Sequence, residues 1–186
     1  MALTTKKQRG FTLLEILISV GILMIVAILI VQVLFTTTHV NTKTEYLSDA
    51  KQNGNFALEI INRMVRSAQT IQTSCGFGAT SASSVLLTNP DNSLTTFECL
   101  SDGTRARIAS VNGSGVIVYL TAGNVTLSTS GGATCDDSSL VFSCPPASGI
   151  QNSLTFSFTL GHIGVAGSTY EVGTSSFQST VFVRNW

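Results

Sequence analysis

The sequence is poor in charged residues, and lysine in particular disappears early. Asp, Glu, Lys and Arg make up only 11% of its 186 residues, and the formal net charge is zero. No lysine follows Lys51, and from residue 73 onward three basic residues stand against six acidic ones. Proteins that bind nucleic acid through its phosphates carry a basic patch or stripe. We therefore do not expect nucleic acid to be a partner.

Recognisable catalytic motifs are missing as well. The chain contains no G-x-S-x-G, no H-E-x-x-H and no phosphate-binding loop sequence. Neither of its two histidines, His39 and His162, lies near a cysteine in the sequence. His162 falls in Gly161-His-Ile-Gly164, which predicts a loop position rather than a catalytic base. No enzymatic activity, metal or cofactor is predicted.

Helix-breaking residues are absent from a long N-terminal stretch. Between Phe11 and Ile71 there is no proline, and Gly21 and Gly54 are the only glycines. Residues 11–35 form an apolar run, long enough to cross a bilayer as a helix, for which about 20 residues suffice. The run is interrupted only by Thr12, Glu15, Ser19, Gly21 and Gln32. The sequence therefore predicts a transmembrane helix over residues 11–38.

Basic residues precede the apolar run and predict its orientation. Lys6, Lys7 and Arg9 lie just before Phe11. By the positive-inside rule they keep the N-terminus in the cytoplasm, and the rest of the chain is exported. A cleaved secretory signal peptide is the alternative, but its apolar core would have ~7–15 residues and a small-residue cleavage site would follow. Here Thr36-Thr37-Thr38 follows a longer run, which favours a retained helix.

After the apolar run the helical pattern continues with mixed composition. Apolar or small residues recur three and four positions apart, at Leu47, Ala50, Gly54, Ala57, Ile61, Met64, Ala68 and Ile71. This is the period of one helix face, and such a face is more often a packed core than a cofactor site. We expect residues 39–72 to continue the helix as an amphipathic segment that packs on the C-terminal body.

The C-terminal body, residues 73–186, changes to strand-like alternation. Apolar and polar residues alternate over 154–160 and again over 116–120, where a turn sequence follows. Further short strands are predicted at 85–87, 97–100, 125–127, 140–142 and 180–183. A sheet with one apolar face needs cover, and the helix supplies it. The predicted fold class is α+β, with one long N-terminal helix laid across an antiparallel sheet.

Four cysteines all lie in the part of the chain that is predicted to be exported. An even number in an oxidising compartment favours disulfides, and four cysteines allow three connectivities. Proximity in the sequence favours two local pairs, Cys75–Cys99 and Cys135–Cys144. No spacing is C-x-x-C, so a structural metal site is not expected.

Two charged pairs in the body leave alternatives open. Asp136 and Asp137 lie between two cysteines and could coordinate Ca²⁺, which prefers oxygen ligands, although a solvated acidic loop is the simpler interpretation. Arg105 and Arg107 alternate on one predicted strand face and could contact DNA phosphates. Two arginines in an acidic body are a weak footprint, so we expect them to be solvated.

The opening stretch resembles a known family. Lys6-Lys7-Gln8-Arg9-Gly10-Phe11-Thr12-Leu13-Leu14-Glu15, followed by the apolar run, is similar to the N-terminus of type IV prepilins and pseudopilins. The resemblance implies a type IV pilin-like fold and a basic leader, residues 1–10, that a membrane prepilin peptidase removes. The cut would fall between Gly10 and Phe11, and Phe11 would become the N-methylated first residue. Gly10, without a side chain, would offer an unhindered scissile carbonyl.

The resemblance also implies partners and a location. The partners would be the prepilin peptidase, other pilin or pseudopilin subunits, the assembly platform and, before assembly, membrane lipid. The precursor would sit in the inner or cytoplasmic membrane with its N-terminus in the cytoplasm. After assembly the protein would belong to a periplasmic pseudopilus or a cell-surface pilus.

Glu15 is the residue that least fits a membrane helix. An ionised carboxylate in hydrocarbon costs about 2.5–3.5 kcal/mol on insertion scales, so it needs a partner. Cleavage would create an α-amine at Phe11, one helical turn away in the same chain. In the family, the equivalent carboxylate pairs with the N-terminal amine of the neighbouring subunit. The alternative is a polar residue that snorkels to the headgroups, but Gly10-Phe11 ahead of Glu15 favours an assembly role.

Two shorter stretches narrow the resemblance. Residues 56–66 and 177–185 look like the W-type minor pilins and the J-type minor pseudopilins of type II secretion. Gln32 stands where many major pilins have a helix-bending proline, and Cys135 and Cys144 lie well before the C-terminus. The resemblance thus predicts a minor pilin or pseudopilin, a structural subunit. The alternative is a fibre-displayed adhesin or DNA-uptake subunit, which would need an exposed aromatic or basic patch on the body.

Overall fold

One long helix followed by antiparallel strands makes up the protein in the computed structural model, which describes residues 10–73, 81–127, 133–143, 153–163 and 172–183. The helix, α1, spans Leu13–Ser67. The strands are β1 (Thr70–Thr73), β2 (Ser81–Ala82), β3 (Ser84–Thr88), β4 (Leu94–Ser101), β5 (Ala106–Asn112), β6 (Ile117–Tyr119), β7 (Val125–Thr126), β8 (Val141–Ser143), β9 (Ser153–Ile163) and β10 (Val172–Phe182). The chain divides into two compact units, Met1–Asn41 and Thr42–Trp186.

The strands form two antiparallel sheets rather than the single sheet that the alternation predicted. The first has the order β1-β3-β4-β5-β6, and the second has the order β10-β9-β8-β2. The long strands β9 and β10 pair along their whole length, while β8 and β7 share the other edge of β9. β2 belongs to the second sheet, because it pairs with β8 and not with its sequence neighbour β3. The α+β class is confirmed.

A single apolar core joins the two sheets and the second half of the helix. Leu87, Phe97 and Ile108 come from the first sheet, while Phe142 and Phe156 come from the second. All five side chains are almost completely buried. Burial of an aromatic or large aliphatic side chain contributes about 1.5–3 kcal/mol, so this cluster dominates the stability of the second unit.

The helix face that packs on the body follows the predicted period, except that Val65 takes the buried position predicted for Met64. Ala50, Gly54, Ala57 and Ile61 are buried, as the spacing predicted. Further along, Val65 is fully buried whereas Met64 is only half-buried. Three positions out of four on this face carry Ala or Gly, so the helix backbone can lie close to the sheet.

Two glycines mark the closest approaches between α1 and β10. A methyl group built on Gly54 would overlap the ring of Phe177, which therefore rests directly on the helix backbone. On the strand side, a methyl group on Gly173 would lie 2.9 Å from the backbone nitrogen of Leu47. Neither position can accept a side chain without movement of its neighbour.

Polar contacts fix the helix from both sides of this face. The Asn53 side-chain carbonyl accepts a hydrogen bond from the Ala122 N–H at 2.8 Å, and the Asn124 amide donates to Asp49 at 2.9 Å. On the β10 side, the Ser179 hydroxyl donates to the Asn62 side-chain oxygen at 2.9 Å. These contacts join the helix to the loop before β7 and to the edge strand β10.

The helix ends five residues earlier than the sequence predicted. We expected residues 39–72 to be helical, but α1 stops at Ser67 and Ile71 lies in β1. The Gln69 N–H donates to the Thr88 carbonyl at 2.8 Å, which starts the pairing of β1 with β3. Ala68 and Ile71 are buried although they lie beyond the end of the helix. Their spacing therefore matched the helical period although their backbone is not helical.

The cysteine pairing differs from the predicted local pairs. Cys99 in β4 is disulfide-bonded to Cys135, 36 residues later, with the two Cα atoms 5.9 Å apart. This bond excludes both Cys75–Cys99 and Cys135–Cys144, and Cys75 and Cys144 lie outside the described residues. Proximity in the sequence failed as a guide because packing of the two sheets brings β4 beside the segment that leads into β8.

Candidate processing and assembly site

Thr12 fixes the point at which α1 begins. Its hydroxyl oxygen accepts a hydrogen bond from the Glu15 N–H at 3.2 Å. Its carbonyl oxygen accepts from the N–H groups of Glu15 and Ile16, at 3.1 and 3.3 Å. This is the geometry of an N-cap, in which a side chain satisfies one of the donors left free at a helix start. The Thr-x-x-Glu spacing is a capping-box signature that could have located this start from the sequence.

The Gly10–Phe11 peptide bond therefore lies ahead of the helix. Both residues are exposed, and the Phe11 side chain is 79% accessible. We expected the helix to begin at Phe11, but it begins two residues later because Thr12 takes the capping position. The sequence had suggested that one turn of helix joins Phe11 to Glu15. This is not the case, because Phe11 lies outside the helix.

Gly10 is not required by the packing of this chain. A methyl group built on Gly10 meets no described atom within 4 Å. At Gly54, by contrast, the same methyl group would overlap the ring of Phe177. Among the described residues, no packing contact requires glycine at position 10.

Glu15 occupies the third position of the helix, and its side chain is exposed. Among the described residues it forms no ion pair. The N-terminal end of a helix carries partial positive charge, which stabilises a nearby carboxylate by about 0.3–1 kcal/mol at an exposed site. That is less than the cost of placing the charge in hydrocarbon, so a further partner is still needed.

The first half of α1 is apolar and exposed along its whole length. Its large side chains from Leu13 to Phe35 are between 46% and 79% accessible. By length and composition, α1 is a helix that could cross a membrane. The leader residues Lys6, Lys7 and Arg9, which predicted the orientation, lie outside the described residues.

The hydroxyl groups in this half are bonded within the helix itself. Ser19, Thr36 and Thr37 each donate to the carbonyl oxygen four residues earlier, at 2.7, 3.0 and 2.8 Å. Thr38 donates to the Phe35 carbonyl at 2.8 Å. A donor satisfied in this way can enter an apolar environment at lower cost than a free one. These four hydroxyl groups thus do not argue against a place in lipid.

The fold is type IV pilin-like, with an apolar N-terminal helix leading into an α+β body. The family described as prokaryotic N-terminal methylation motif matches the chain over residues 5–31. This match is the type IV prepilin-like signature, and it supports a pilin or pseudopilin family member. No curated protein and no solved structure is significantly similar to the chain.

The matched motif and the apolar helix fit a membrane-anchored pilin. The motif implies processing by a prepilin peptidase and assembly with other pilins. The match ends at residue 31, so it gives no information on the body.

The arginine pair predicted to be solvated is partly built into the body. Arg107 is ion-paired with Asp102, with 3.0 Å between Nη1 and Oδ2, and its guanidinium lies 4.3 Å from the centre of the Tyr119 ring. Its Nε and Nη2 both donate to the carbonyl of Thr121, through Nε at 2.8 Å. Arg107 therefore supports the loop that contacts Asn53 and is not a solvated phosphate ligand.

Asp102 organises the turn between β4 and β5. The hydroxyl of Thr104 and then its backbone N–H, with the Arg105 N–H and Arg107 as further donors, hold the pKa of Asp102 well below its usual range. Donors that bond the charged form favour it, which is the cause of the shift. The Asp102-Gly103 pair is a turn signal in the sequence, but the hydrogen bond from Arg107 in the next strand could not be read from it.

His162 lies in β9 rather than in the predicted loop. Its ring stacks on Tyr46 of α1, with centroids 4.0 Å apart and an interplanar angle of 9°. The Nδ1 atom is buried and has no hydrogen-bond partner among the described residues. The stack adds an aromatic contact between helix and sheet near the start of the second unit, beside the close approach of Gly173.

The remaining candidates of the body are two aspartates. Asp136 is exposed and Asp137 is half-buried, in the turn after the disulfide at Cys135. Within the described ranges, no group of three or more His, Cys, Asp or Glu side chains is placed to hold a metal ion.

Proposed function

We propose that the protein is a minor type IV pilin or pseudopilin, a structural subunit that joins or primes a fibre. The observation that carries this proposal is the arrangement at the N-terminus. An exposed Gly10–Phe11 bond lies just ahead of a capped helix that is apolar along its first half and has one carboxylate, Glu15, in its first turn.

Processing would convert the precursor into an assembly-competent subunit. Hydrolysis of the Gly10–Phe11 bond removes the basic leader, residues 1–10, and leaves a free amine that is methylated on Phe11. The removal of Lys6, Lys7 and Arg9 takes away the charges that hold the N-terminus at the cytoplasmic surface. The amine and Glu15 then remain as the opposite charges of the apolar segment.

Pairing of these charges between subunits would favour assembly. In hydrocarbon an unpaired carboxylate is costly, whereas a carboxylate beside an amine of a neighbouring subunit is compensated. The exposed apolar side chains of residues 13–35 would pack against other helices in the fibre. The subunit would thereby leave the membrane without exposing this surface to water.

The processing step is tested at Gly10. We expect Gly10→Leu to leave a precursor ten residues longer in the membrane, because the added side chain obstructs the scissile carbonyl. Gly21→Leu is the matched control, since a methyl group at either glycine meets no atom within 4 Å in the structure. Electrophoresis and intact-mass measurement of membrane fractions give the readout. Normal maturation of the Gly10 variant would contradict the proposed cleavage.

The assembly step is tested at Glu15. Glu15→Ala should be cleaved normally but enter fibres poorly, because the amine of Phe11 loses its partner. Gln32→Ala, which removes the other long polar side chain of the apolar run, should assemble as the unaltered protein does. Immunoblots of sheared fibre and membrane fractions compare the two. Equal incorporation of the Glu15 and Gln32 variants would argue against the charge-pairing account.

A second candidate function, a fibre-displayed subunit that takes up DNA, is favoured by one surface. A groove of about 880 Å³ lies between the end of α1 and the end of β10. Arg63 and Arg66 line it and are exposed, and Phe182 beside them is 68% accessible. Positive charge combined with an exposed aromatic ring is the pattern that binds single-stranded nucleic acid. Glu59 in the same groove opposes this binding.

The groove can be tested without disturbing assembly. If it binds DNA, Arg63→Ala combined with Arg66→Ala should abolish retention of single-stranded DNA by the purified protein, and Arg63→Lys with Arg66→Lys should retain part of it. Binding that is equal in all three proteins, or absent from the unaltered one, would leave the structural-subunit function alone.

A further inference from the structure

Apart from Gly10, no residue close to Thr12 strongly disfavours extension of the helix toward the N-terminus. Leu13 and Leu14 are good helix formers, and phenylalanine, the residue at position 11, is acceptable in a helix. Glycine disfavours a helix by about 1 kcal/mol relative to alanine, which weakens extension but does not define a start. The start is defined by the hydroxyl oxygen of Thr12, which accepts a hydrogen bond from the Glu15 N–H at 3.2 Å.

The position of the start matters for cleavage of the next peptide bond. Proteases act at exposed segments whose backbone is not held by burial or by hydrogen bonds. A peptide unit inside a helix has its carbonyl engaged with a later N–H, so a helix extended to Phe11 or beyond would withdraw the Gly10 carbonyl from attack. In the structure Gly10 and Phe11 are exposed and precede the helix.

We propose that Thr12 is a positioning residue for leader removal, because its cap holds the helix start at Leu13 and keeps the Gly10–Phe11 bond outside the helix. This inference rests on the proposed function, since it assumes that this bond is the one cut. It assigns to Thr12 a role in processing that is separate from that of Gly10, which is exposed to the peptidase, and from that of Glu15, which acts at assembly.

The test compares residues that cap helices with residues that do not. Asn and Ser are as good as Thr or better at this position, while Val and Ala are poor caps. Val copies the shape of Thr without the hydroxyl, and Asn keeps a cap while changing the shape. The full-length precursor is reconstituted in bilayers with the prepilin peptidase of its source organism. Initial rates of leader removal are then measured by mass spectrometry.

We expect Thr12→Ser and Thr12→Asn to be cut at the rate of the unaltered precursor. Thr12→Val and Thr12→Ala should be cut about fivefold more slowly, the factor that corresponds to the ~1 kcal/mol typical of a lost cap. Amide exchange of Leu14 in the same full-length variants gives an independent readout, because a helix that begins at Phe11 would bond the Leu14 N–H to the Gly10 carbonyl. Exchange of this amide should be slower in the Val and Ala variants and unchanged in the Asn variant.

Two results would overturn the role of Thr12. One is a Val variant that is cut as fast as the unaltered precursor. The other is an Asn variant that is cut as slowly as the Val variant although exchange of its Leu14 amide is unchanged, which would mean that the peptidase contacts the threonine side chain directly. If the unaltered precursor is not cut between Gly10 and Phe11 at all, the proposed function itself fails, and the role of Thr12 fails with it.

Discussion

The two halves of α1 differ in the size of their apolar side chains and in whether those side chains are buried. From Leu13 to Phe35 the helix carries large aliphatic side chains, and they are exposed. From Ala50 to Val65 the residues on the packed face are mostly small, and they are buried against the protein's own sheets. Within the described part of the chain, the first half therefore has no packing partner, whereas the second half packs on the body.

The difference in residue size has a physical meaning. Small residues allow a helix backbone to approach a preformed surface, as Gly54 does beneath Phe177. Large aliphatic side chains suit the hydrocarbon of a bilayer, where no fixed surface dictates how they pack. The sequence of the helix thus separates an anchoring segment from a folding segment, without a break in the backbone between them.

The largest effect is expected when the anchoring half is removed. A chain that starts at Thr42 keeps every buried residue of the core, because all of them lie in the second unit. We expect it to leave the membrane, remain in the aqueous fraction and unfold cooperatively, while the full chain stays with membranes. Fractionation and thermal unfolding measure both properties. A truncated chain that needs detergent or shows no cooperative transition would break the comparison.

Loss of the disulfide should destabilise the folding half more than any single side-chain contact. Cys99 and Cys135 close a loop of 36 residues, for which the chain-entropy account gives about 3–4 kcal/mol. The double variant Cys99→Ala, Cys135→Ala should lose that much free energy of unfolding in denaturant titrations.

Peptide mapping of the unreduced protein is the companion measurement for that bond. It should yield a cross-linked peptide that contains Cys99 and Cys135. A peptide linking Cys75 to Cys99 would show instead that the local pairing is correct.

The two helix glycines give an intermediate effect and a matched pair. Gly54→Ala inserts a methyl group into the ring of Phe177, and overpacking of this kind costs about 1–3 kcal/mol. Gly21→Ala meets no neighbour and should not destabilise the body, since alanine favours the helix. Denaturant unfolding of both full-length variants in the same detergent measures the difference. Equal stabilities would mean that Phe177 moves aside freely.

The smallest effect is expected from acid. Hydrogen bonds from Thr104, and then from Arg105 and Arg107, keep the pKa of Asp102 below its unfolded value of about 3.9. Because the folded pKa is lowered, Asp102 stabilises the fold above about pH 4, and this contribution disappears as the pH falls further. Asp102→Asn should therefore reduce the fall in Tm between pH 5 and pH 2. Identical pH profiles for the two proteins would remove Asp102 from the account.

The features that the sequence predicted correctly depend on local pattern. The apolar run, the helical period through Ile61 and the alternation of residues 154–160 each report the environment of a single element. The α+β class followed because these patterns together require a helix that covers a sheet. The N-terminal motif was recognisable for the same reason, since its residues are contiguous.

The features that the sequence did not predict depend on contacts between distant elements. Cys99 pairs with Cys135 because the two sheets meet there, and Arg107 is bonded to Thr121 because β5 lies beneath that loop. The end of α1 was misplaced because Ala68 and Ile71 stay buried after the backbone has turned into β1. The spacing of apolar residues predicts which residues are buried. It could not show that the backbone changes from helix to strand.

The most direct test of the central claim is intact and N-terminal mass spectrometry of the protein from membrane and sheared-fibre fractions. The account predicts a mature chain that begins at N-methylated Phe11, with residues 13–35 retained as the apolar segment. Its presence in the fibre fraction would place it in a pilus, and its restriction to membranes would favour a short pseudopilus. A chain that begins at Met1, or beyond Phe35, would contradict the account.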